Sequence, residues 1–533
     1  MINNNSYNNS IKNTVQAIIL AAGKSSRFNT KQTKLLAPIC GQPMILYPIK
    51  LFQSLEIPIT VVLGYQKEDI QQIITEQIIT QQIIEKTPKT DITFAVQEIQ
   101  KGTGHALLCT KHYWQADTIL IVNGDMPLIS QNILEQLFRK HAETSASISL
   151  VTAEFEYAEN SGYGRVMEID NHVSIVEAKH LDASNYEERT INAGIYFINR
   201  SFLQNYIDML TVNSDTQEIY ITDLIEIASR DNQTVSLVSA PFDHICGINT
   251  LAELTATEQI KQTEIIKNWM DKGVRFAMPQ TTRVDLTVVI EPDTYIKSGV
   301  HLTGNTHIGA HSHIGEFSIL HNAIVEAHVT VQAHTIIHDS HIKTKAIVGP
   351  FAHIRNNAII ENATVIGNFV EIKNSEIGTH TNIKHLSFIG DAHVGHNVNI
   401  GAGTITCNYD GVNKHKTYIG DHSFIGSNNT LVAPLIIHNN AYTAAGSTIT
   451  KQVPEHALAF GRAFQINKEN YKKKRDITSA TQKQNTLSAI GDPDFLPGPE
   501  GAQSQTPPSG GIGGAANTPS TKNKQPDQED KIL

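Results

Sequence analysis

From Ile290 onward, aliphatic side chains recur at every sixth residue. Ile290, Ile296, Leu302, Ile308, Ile314 and Leu320 hold the spacing, and after a one-residue slip Val325, Val331 and Ile337 resume it. Ile342, Val348, Ile354, Ile360, Ile366 and Ile372 follow, then Ile377, Ile383 and Ile389. After an interruption come Ile419, Ile425, Leu431 and Ile437. Glycine often stands next in line, as at Gly309, Gly315, Gly367, Gly390 and Gly426. A six-residue period matches neither the helix nor the flat strand. It predicts a parallel β-helix in which each hexad forms one side of a triangular coil and stacks on its equivalent three hexads away. Such coils bury their faces only against neighbours, so many are needed. The spacing leaves the handedness open.

Ahead of the repeats the pattern is different. From Thr14 to about Ile248, short β-branched runs alternate with longer amphipathic stretches. Gln16–Leu20, Ile59–Leu63, Asp91–Val96 and Thr118–Val122 read as strands, Met44–Leu55 and Gln131–His141 as helices. The alternation predicts an α/β domain with a mostly parallel sheet and sites at the strand C-termini. Ile70–Lys86 repeats Ile-Ile pairs every five residues, and is read as a helical insertion. Leu251 to Lys272 has helical spacing up to Gly273 and reads as a linker helix. The organisation expected is therefore an α/β domain over 14–250, a linker helix over 251–273, a β-helix over 274–470 and a disordered tail over 476–533, where Pro, Gly, Ser, Gln and Thr take over.

Composition narrows the function classes. The chain has 533 residues, 40% of them hydrophobic and 18% charged, with a formal net charge of −10. No basic block dominates, so neither nucleic acid nor anionic membrane is an expected partner. No stretch approaches the roughly 18 apolar residues of a membrane span. The asparagine-rich start lacks the apolar core of a signal peptide. Cys40, Cys109, Cys246 and Cys407 lie far apart, which suits free thiols in a reducing, cytoplasmic compartment.

Two segments of the first domain carry candidate chemistry. The first strand runs into Leu20-Ala21-Ala22-Gly23-Lys24-Ser25-Ser26-Arg27, with Lys34 further on. Small residues after a strand let backbone N–H groups approach phosphates, and the two cations neutralise them. Neither a Walker A motif nor a dinucleotide fingerprint is present, and alone the segment also fits an ordinary strand-to-helix turn. Asn123-Gly124-Asp125 ends an apolar strand, where a carboxylate is placed to hold Mg²⁺ against phosphate oxygens. A turn aspartate is the plainer alternative. Gly102-Thr103-Gly104-His105 forms a further polar loop.

Together with the hexads behind them, these segments resemble one family over about residues 14 to 470: the bifunctional N-acetylglucosamine-1-phosphate uridyltransferase/glucosamine-1-phosphate acetyltransferases. The resemblance implies a Rossmann-like nucleotidyltransferase domain and a left-handed β-helix. It implies that Leu20, Ala21, Ala22 and Gly23 wrap a nucleotide, with Arg27 and Lys34 at the phosphates. Gln97, Gly102 and Thr103 would recognise uracil; Asn123 and Gly124 precede Asp125, which with Asn249 would hold Mg²⁺. Gly164, Glu177 and Asn192 would contact N-acetylglucosamine. UTP and acetyl-CoA are the implied co-substrates. Ser25 stands where the family usually has glycine, and Asn123 replaces its usual aromatic.

In the second domain, acyl transfer to an amine needs a base with a pKa near working pH, and His385 is the candidate, with Glu371 as its orienting partner. The resemblance puts Arg355 and Lys373 on the acceptor's phosphate, with Phe388, Asn399, Asn408 and Tyr409 beside the acceptor. Ala402, Ser427, Ala445 and Arg462 would line an acetyl-CoA groove between neighbouring β-helices, which implies a homotrimer. Phe388 replaces the family's usual tyrosine, and one lost hydroxyl weakens acceptor binding by ~0.5–1.5 kcal/mol. Asn408-Tyr409-Asp410-Gly411 marks a loop leaving the coil. Eighteen of the 24 histidines fall between His301 and His456; most occupy variable hexad positions and read as a solvated coil face. Two other readings remain: a monofunctional nucleotidyltransferase with a structural or regulatory β-helix, and a non-catalytic protein built from the same folds.

Overall fold

Each run of β-branched residues in the first domain becomes a strand of one nine-stranded sheet. The computed structural model describes residues 14–85, 91–155, 162–170, 172–181 and 188–490. The strand order is Val235–Ser239, Ile148–Glu154, Thr190–Asn199, Thr118–Asn123, Val15–Ala21, Ile59–Leu63 and Ile92–Val96, with the hairpin Arg165–Ile169/His172–Val176 set off the third. Thr190–Asn199 runs antiparallel to both its neighbours, and the other pairs along the path are parallel. Helices Leu46–Ser54, Lys67–Glu85 and Gln131–Thr144 cover the sheet where amphipathic spacing placed them. The Ile-Ile insertion is thus part of a helix up to Glu85, and Lys86 lies outside the described residues.

The linker segment forms the helix Leu251–Asp271, started by a capping box between Thr250 and Glu253. Its Gln262 side chain pairs with both backbone groups of Val284, at 2.7 and 2.8 Å, and so closes the edge of the first coil. Its Glu258 accepts from the Cys40 N–H of the preceding domain at 3.1 Å. Ile39, Met44 and Tyr47 belong to the same buried cluster as the coil aliphatics, so the core runs on from one fold into the other.

Beyond the helix, three parallel sheets of eleven, ten and nine short strands form the sides of a triangular coil. Strands pair with their equivalents one turn away, as in Ile296↔Ile314 and Ile354↔Ile372. The repeating aliphatics point inward; Ile308, Ile354 and Ile383 are wholly buried. Each contributes about 1.5–3 kcal/mol.

Corners explain part of the histidine enrichment. His311, His328, His334, His380, His422 and His456 sit at turns with φ near +60°, a region that histidine enters more readily than most residues. Successive corners stack: His334 lies between Phe317 and Phe351 at ring separations of 5.2 and 4.9 Å, and Phe369 continues the column.

One expectation needs correcting. The tail read as disordered from 476 begins as a helix, Tyr471–Ile490, because Lys, Thr, Gln and Ala follow Tyr471 with no Gly or Pro before residue 491. Residues 491–533 lie outside the described residues.

Candidate functional site

The parallel strands of the first domain end at one edge, and the loops leaving that edge line a cleft of about 640 Å³. Leu20, Ala21, Ala22, Gly23, Arg27, Lys34, Gln97, Gly102, Thr103, Asn123, Asp125 and Asn249 all face it. Its charged centre is compact. Lys34 Nζ donates to Asp125 Oδ2 at 2.5 Å and to Asn249 Oδ1 at 2.9 Å, and Arg27 Nη2 donates to the same Asn249 oxygen at 2.9 Å. Asp125 Oδ1 is buried with no hydrogen-bond partner. A buried carboxylate oxygen without a donor, beside an amide oxygen, is the hard-oxygen set that suits a divalent cation such as Mg²⁺ completed by phosphates.

Asn249 is held by the helix behind it. Glu253 Oε2 accepts from the backbone N–H groups of Asn249 and Thr250, at 2.6 and 2.9 Å, so the capping box also fixes the loop. Tyr163 hydroxyl accepts from Gly247 N–H at 2.9 Å, joining that loop to Gly162-Tyr163-Gly164. Ser25 adopts the left-handed conformation, φ 55°, that glycine would take freely, and its Oγ accepts from Lys34 N–H at 3.3 Å. The departure from glycine thus steadies the lysine's own backbone. Gly124 has no room for a Cβ, which would meet Ile45 Cδ1 at 2.7 Å.

At the other end of the cleft, Gln97 is buried and donates to Gly102 carbonyl at 3.0 Å, with His105 Nδ1 2.9 Å away. Burial, with Lys101 nearby, holds the His105 imidazole below its ordinary pKa. Glu177, Gly164 and Asn192 form a neighbouring polar group: Gly164 carbonyl accepts from Asn192 N–H at 2.9 Å, and Glu177 Oε1 accepts from Thr222 Oγ1 at 2.7 Å. Sequence motifs missed the segment Glu218-Ile219-Tyr220-Ile221-Thr222, which joins these two ends. Ile219 exchanges backbone bonds with Lys101 and Gly104, and Ile221 N–H donates to Thr103. Its only signal in the sequence was a short polar–apolar alternation. Asn123 turns its amide onto Gly194, where a Cβ would sit 2.6 Å from its Nδ2.

On the coil, register gathers the predicted residues into columns. Ile366, Ile383, Ile400, Ile425 and Thr443 pair in sequence along one sheet. Two residues beyond each stand Asn368, His385, Ala402, Ser427 and Ala445, so all five occupy one corner position on successive coils. Arg462 follows, one residue out of that register, after Thr443↔Ala459. With strands ~4.8 Å apart, Ala445 lies about 14 Å along the axis from His385. Small residues thus occupy three consecutive corners beyond the imidazole. Gly367 has no space for a Cβ, which would fall 2.0 Å from Lys384 carbonyl oxygen; the close approach sets Asn368 under His385.

His385 Nδ1 lies 2.8 Å from Asn368 Oδ1. The expected orienting partner, Glu371, is instead engaged by Arg355, whose Nε and Nη2 donate to it at 2.8 and 2.6 Å. The reason is register: Asn368 is the strand partner of His385, whereas Glu371 is on the adjoining face, stacked on Phe388. Arg355 and Lys373 are strand partners one coil apart. Phe388 lies over Gly390, with Cζ 2.6 Å from where a Cβ would be. Asn399 stands one coil beyond Asn382.

Asp391, not singled out by any motif, ties this face together. Its carboxylate takes hydrogen bonds from Asn374, Asn408 and Lys373, the last at 3.2 Å. Burial alone would raise its pKa, but these donors outweigh it and hold the carboxyl below the ordinary range. Lys414, from the loop that begins at Asn408, brings a third cation: the neighbouring Lys373 pushes the Lys414 ammonium below the usual lysine range. A carboxyl depressed in the fold lends stability that is complete above its unfolded pKa of ~3.9 and is lost as pH falls through the folded value. Asp391→Asn is therefore expected to lower the melting temperature at pH 7 and to flatten its decline between pH 5 and 2. Thermal melts across that range check it; an unchanged acid slope would contradict it.

Comparison with known proteins agrees with both halves. The MobA-like NTP transferase domain family matches residues 17–185. The bifunctional protein GlmU of Alkaliphilus metalliredigens is 37% identical over 468 residues, covering 87% of this chain and 99% of the relative. That of Clostridium perfringens is 39% identical over 465 residues, covering 86% and 99%. Caldicellulosiruptor saccharolyticus GlmU is 38% identical over 463 residues, covering 85% and 96%. Since the likeness covers 87% of the chain and 99% of the relative at 37% identity, the chain belongs to the family of bifunctional GlmU proteins.

Proposed function

We propose that the strand-end cleft of residues 14–250 transfers a uridylyl group from UTP to N-acetylglucosamine-1-phosphate, and that the coil of residues 274–470 transfers an acetyl group from acetyl-CoA to glucosamine-1-phosphate. The chain is a bifunctional enzyme that makes UDP-N-acetylglucosamine, with acetyl transfer first. The observation that carries this reading is the corner column itself. A histidine backed by Asn368 and followed by Ala402, Ser427 and Ala445 serves no purpose in a merely structural solenoid. It therefore speaks against the monofunctional alternative.

In acetyl transfer, Asn368 Oδ1 accepts from Nδ1–H, so His385 presents its Nε2 lone pair outward. Nε2 takes the proton as the amine nitrogen attacks the thioester carbonyl; the C–N bond forms, the C–S bond breaks, and the departing CoA thiolate takes that proton back from His385 to leave as the thiol. Arg355, Lys373 and Lys414 hold the acceptor's phosphate dianion. Glu371 keeps Arg355 in place, Asn399, Asn408 and Tyr409 border the acceptor, and Arg462 closes the acetyl-CoA groove.

In uridylyl transfer, the Leu20–Gly23 backbone cradles the nucleotide while Lys34 and Arg27 neutralise its phosphates. Gln97, Gly102 and Thr103 read the uracil, and Gly164, Glu177 and Asn192 hold the sugar. A sugar-phosphate oxygen attacks the α-phosphorus in line and pyrophosphate leaves; positioning and charge neutralisation supply the acceleration. Asp125 and Asn249 are the residues that fit Mg²⁺, which when bound polarises the phosphoryl oxygens. Pyrophosphate release from UTP and N-acetylglucosamine-1-phosphate, measured with Mg²⁺ and with a chelator, tests the assignment: release without metal would refute it.

Four free cysteines and the absence of a membrane-spanning helix among the described residues support a cytoplasmic location. Exposed Phe317, Phe351, Phe369 and Leu386 form a ridge along the corner beside His385, which supports packing of β-helices into a homotrimer. Sedimentation equilibrium is expected to give three times the 58.7 kDa chain mass; a monomer mass would refute the trimer.

A further inference from the structure

Among the described residues, the segment between Cys407 and Thr417 is the longest stretch between successive strands of the coil. It carries Tyr409 and Lys414, and Val412 at its tip is 82% exposed. A nine-residue excursion with so open a tip needs internal ties to hold a side chain in one place. Asp410 supplies most of them. Its Oδ1 accepts from the N–H groups of Val412 and Asn413, at 2.8 and 2.6 Å, and its backbone N–H donates to Asn413 carbonyl at 3.1 Å. Those bonds close only the tip, residues 410 to 413.

The tie between the tip and the returning arm is His415. Its Nε2 lies 2.7 Å from Asp410 Oδ2, and its backbone N–H donates to Asn408 carbonyl at 2.7 Å. Tyr409 and Lys414 form an antiparallel bridge directly beneath this clasp. At its base the loop is anchored by Asn408 on Asp391, the carboxylate that also holds Lys373. The bridge and the clasp hold the Tyr409–Lys414 pair above the Asn408 anchor, whose Asp391 also binds Lys373. Like-charge repulsion between the Lys373 and Lys414 ammonium groups opposes their approach, so it needs a loop held closed.

We infer that His415 is a positioning residue for acetyl transfer: its hydrogen bond to Asp410 closes the 408–416 loop and holds Lys414 beside Lys373 at the acceptor's phosphate. The inference rests on the reading of this face as the glucosamine-1-phosphate site. A clasp of this kind acts on acceptor affinity and not on the base, so it separates KM from kcat.

The test uses the full chain, with thiol release from acetyl-CoA as the readout. His415→Leu keeps side-chain bulk and removes the donor. It is expected to raise KM for glucosamine-1-phosphate about tenfold, with kcat, the KM for acetyl-CoA and uridylyl transfer within twofold of the parent. His415→Gln, whose amide N–H reaches the position of Nε2, is expected to restore KM to within threefold. Equal KM values for the parent and His415→Leu would overturn the clasp while leaving the site intact, as would a failure of His415→Gln to rescue. A parent chain with uridylyl transfer but no thiol release would overturn the reading of the face, and the clasp with it. Melting curves of both variants accompany the kinetics; if His415→Leu melts early, the parent-to-Gln comparison decides, with a KM rise beyond threefold in a normally melting His415→Gln counting against the clasp.

Discussion

Replacing Asp125 by alanine is expected to abolish uridylyl transfer, by ~10³-fold or more, and to leave acetyl transfer within about twofold of the parent. The size follows from what the side chain does. Its Oδ2 is the partner of Lys34, and its Oδ1 is buried without a donor, as suits a cation ligand. Removing it deletes the carboxylate of the metal set and releases the lysine at once. Several kcal/mol of transition-state stabilisation disappear together, and each 1.36 kcal/mol is tenfold in rate. The acetyl half is spared because the coil's columns draw nothing from the cleft. Rates of pyrophosphate release and thiol release on one preparation check this. Loss of both would mean that the two sites are not separate.

The mirror experiment has a comparable effect. His385→Ala is expected to slow acetyl transfer at least ~100-fold, the typical contribution of a positioned general base, while uridylyl transfer is unchanged. His385 stands on an exposed corner and carries no part of the buried core, so a lost rate reads as lost chemistry. Asn368→Ala tests the tautomer argument. Without Oδ1 the proton settles on either nitrogen, and a loss of about tenfold is expected, the size of one hydrogen bond. Loss in Asn368→Ala with none in Glu371→Gln would distinguish a partner of the base from a partner of Arg355.

The coil was legible because one residue type does two jobs there. The inward aliphatic is at once the core and the spacing, so its period shows in the sequence without any knowledge of contacts. The strands of the first domain were legible in the same way, since they are short, apolar and bounded by turns. Contacts across the coil were not. Asn368 and His385 are 17 residues apart, one shortened turn, and counting hexads does not say which of two polar residues near one corner meets the histidine. That is why the motif points to Glu371, while the hydrogen bond on His385 comes from Asn368 and Glu371 holds Arg355. Asp391 escaped for a related reason: it sits at a corner with φ 51° among many such Asn and Asp corners, and only the convergence of Lys373, Asn374 and Asn408 marks it. The strip Glu218–Thr222 carries no motif, and its role is visible only once both loops that it joins are in place.

Thiol release from acetyl-CoA with glucosamine-1-phosphate as acceptor, by the purified chain, tests the central claim most directly. It addresses the half where Phe388 removes a hydroxyl that relatives usually have. The corner column predicts saturable turnover that disappears in His385→Ala. No thiol release at millimolar acceptor, with Mg²⁺-dependent uridylyl transfer intact, would contradict it and leave the β-helix a scaffold.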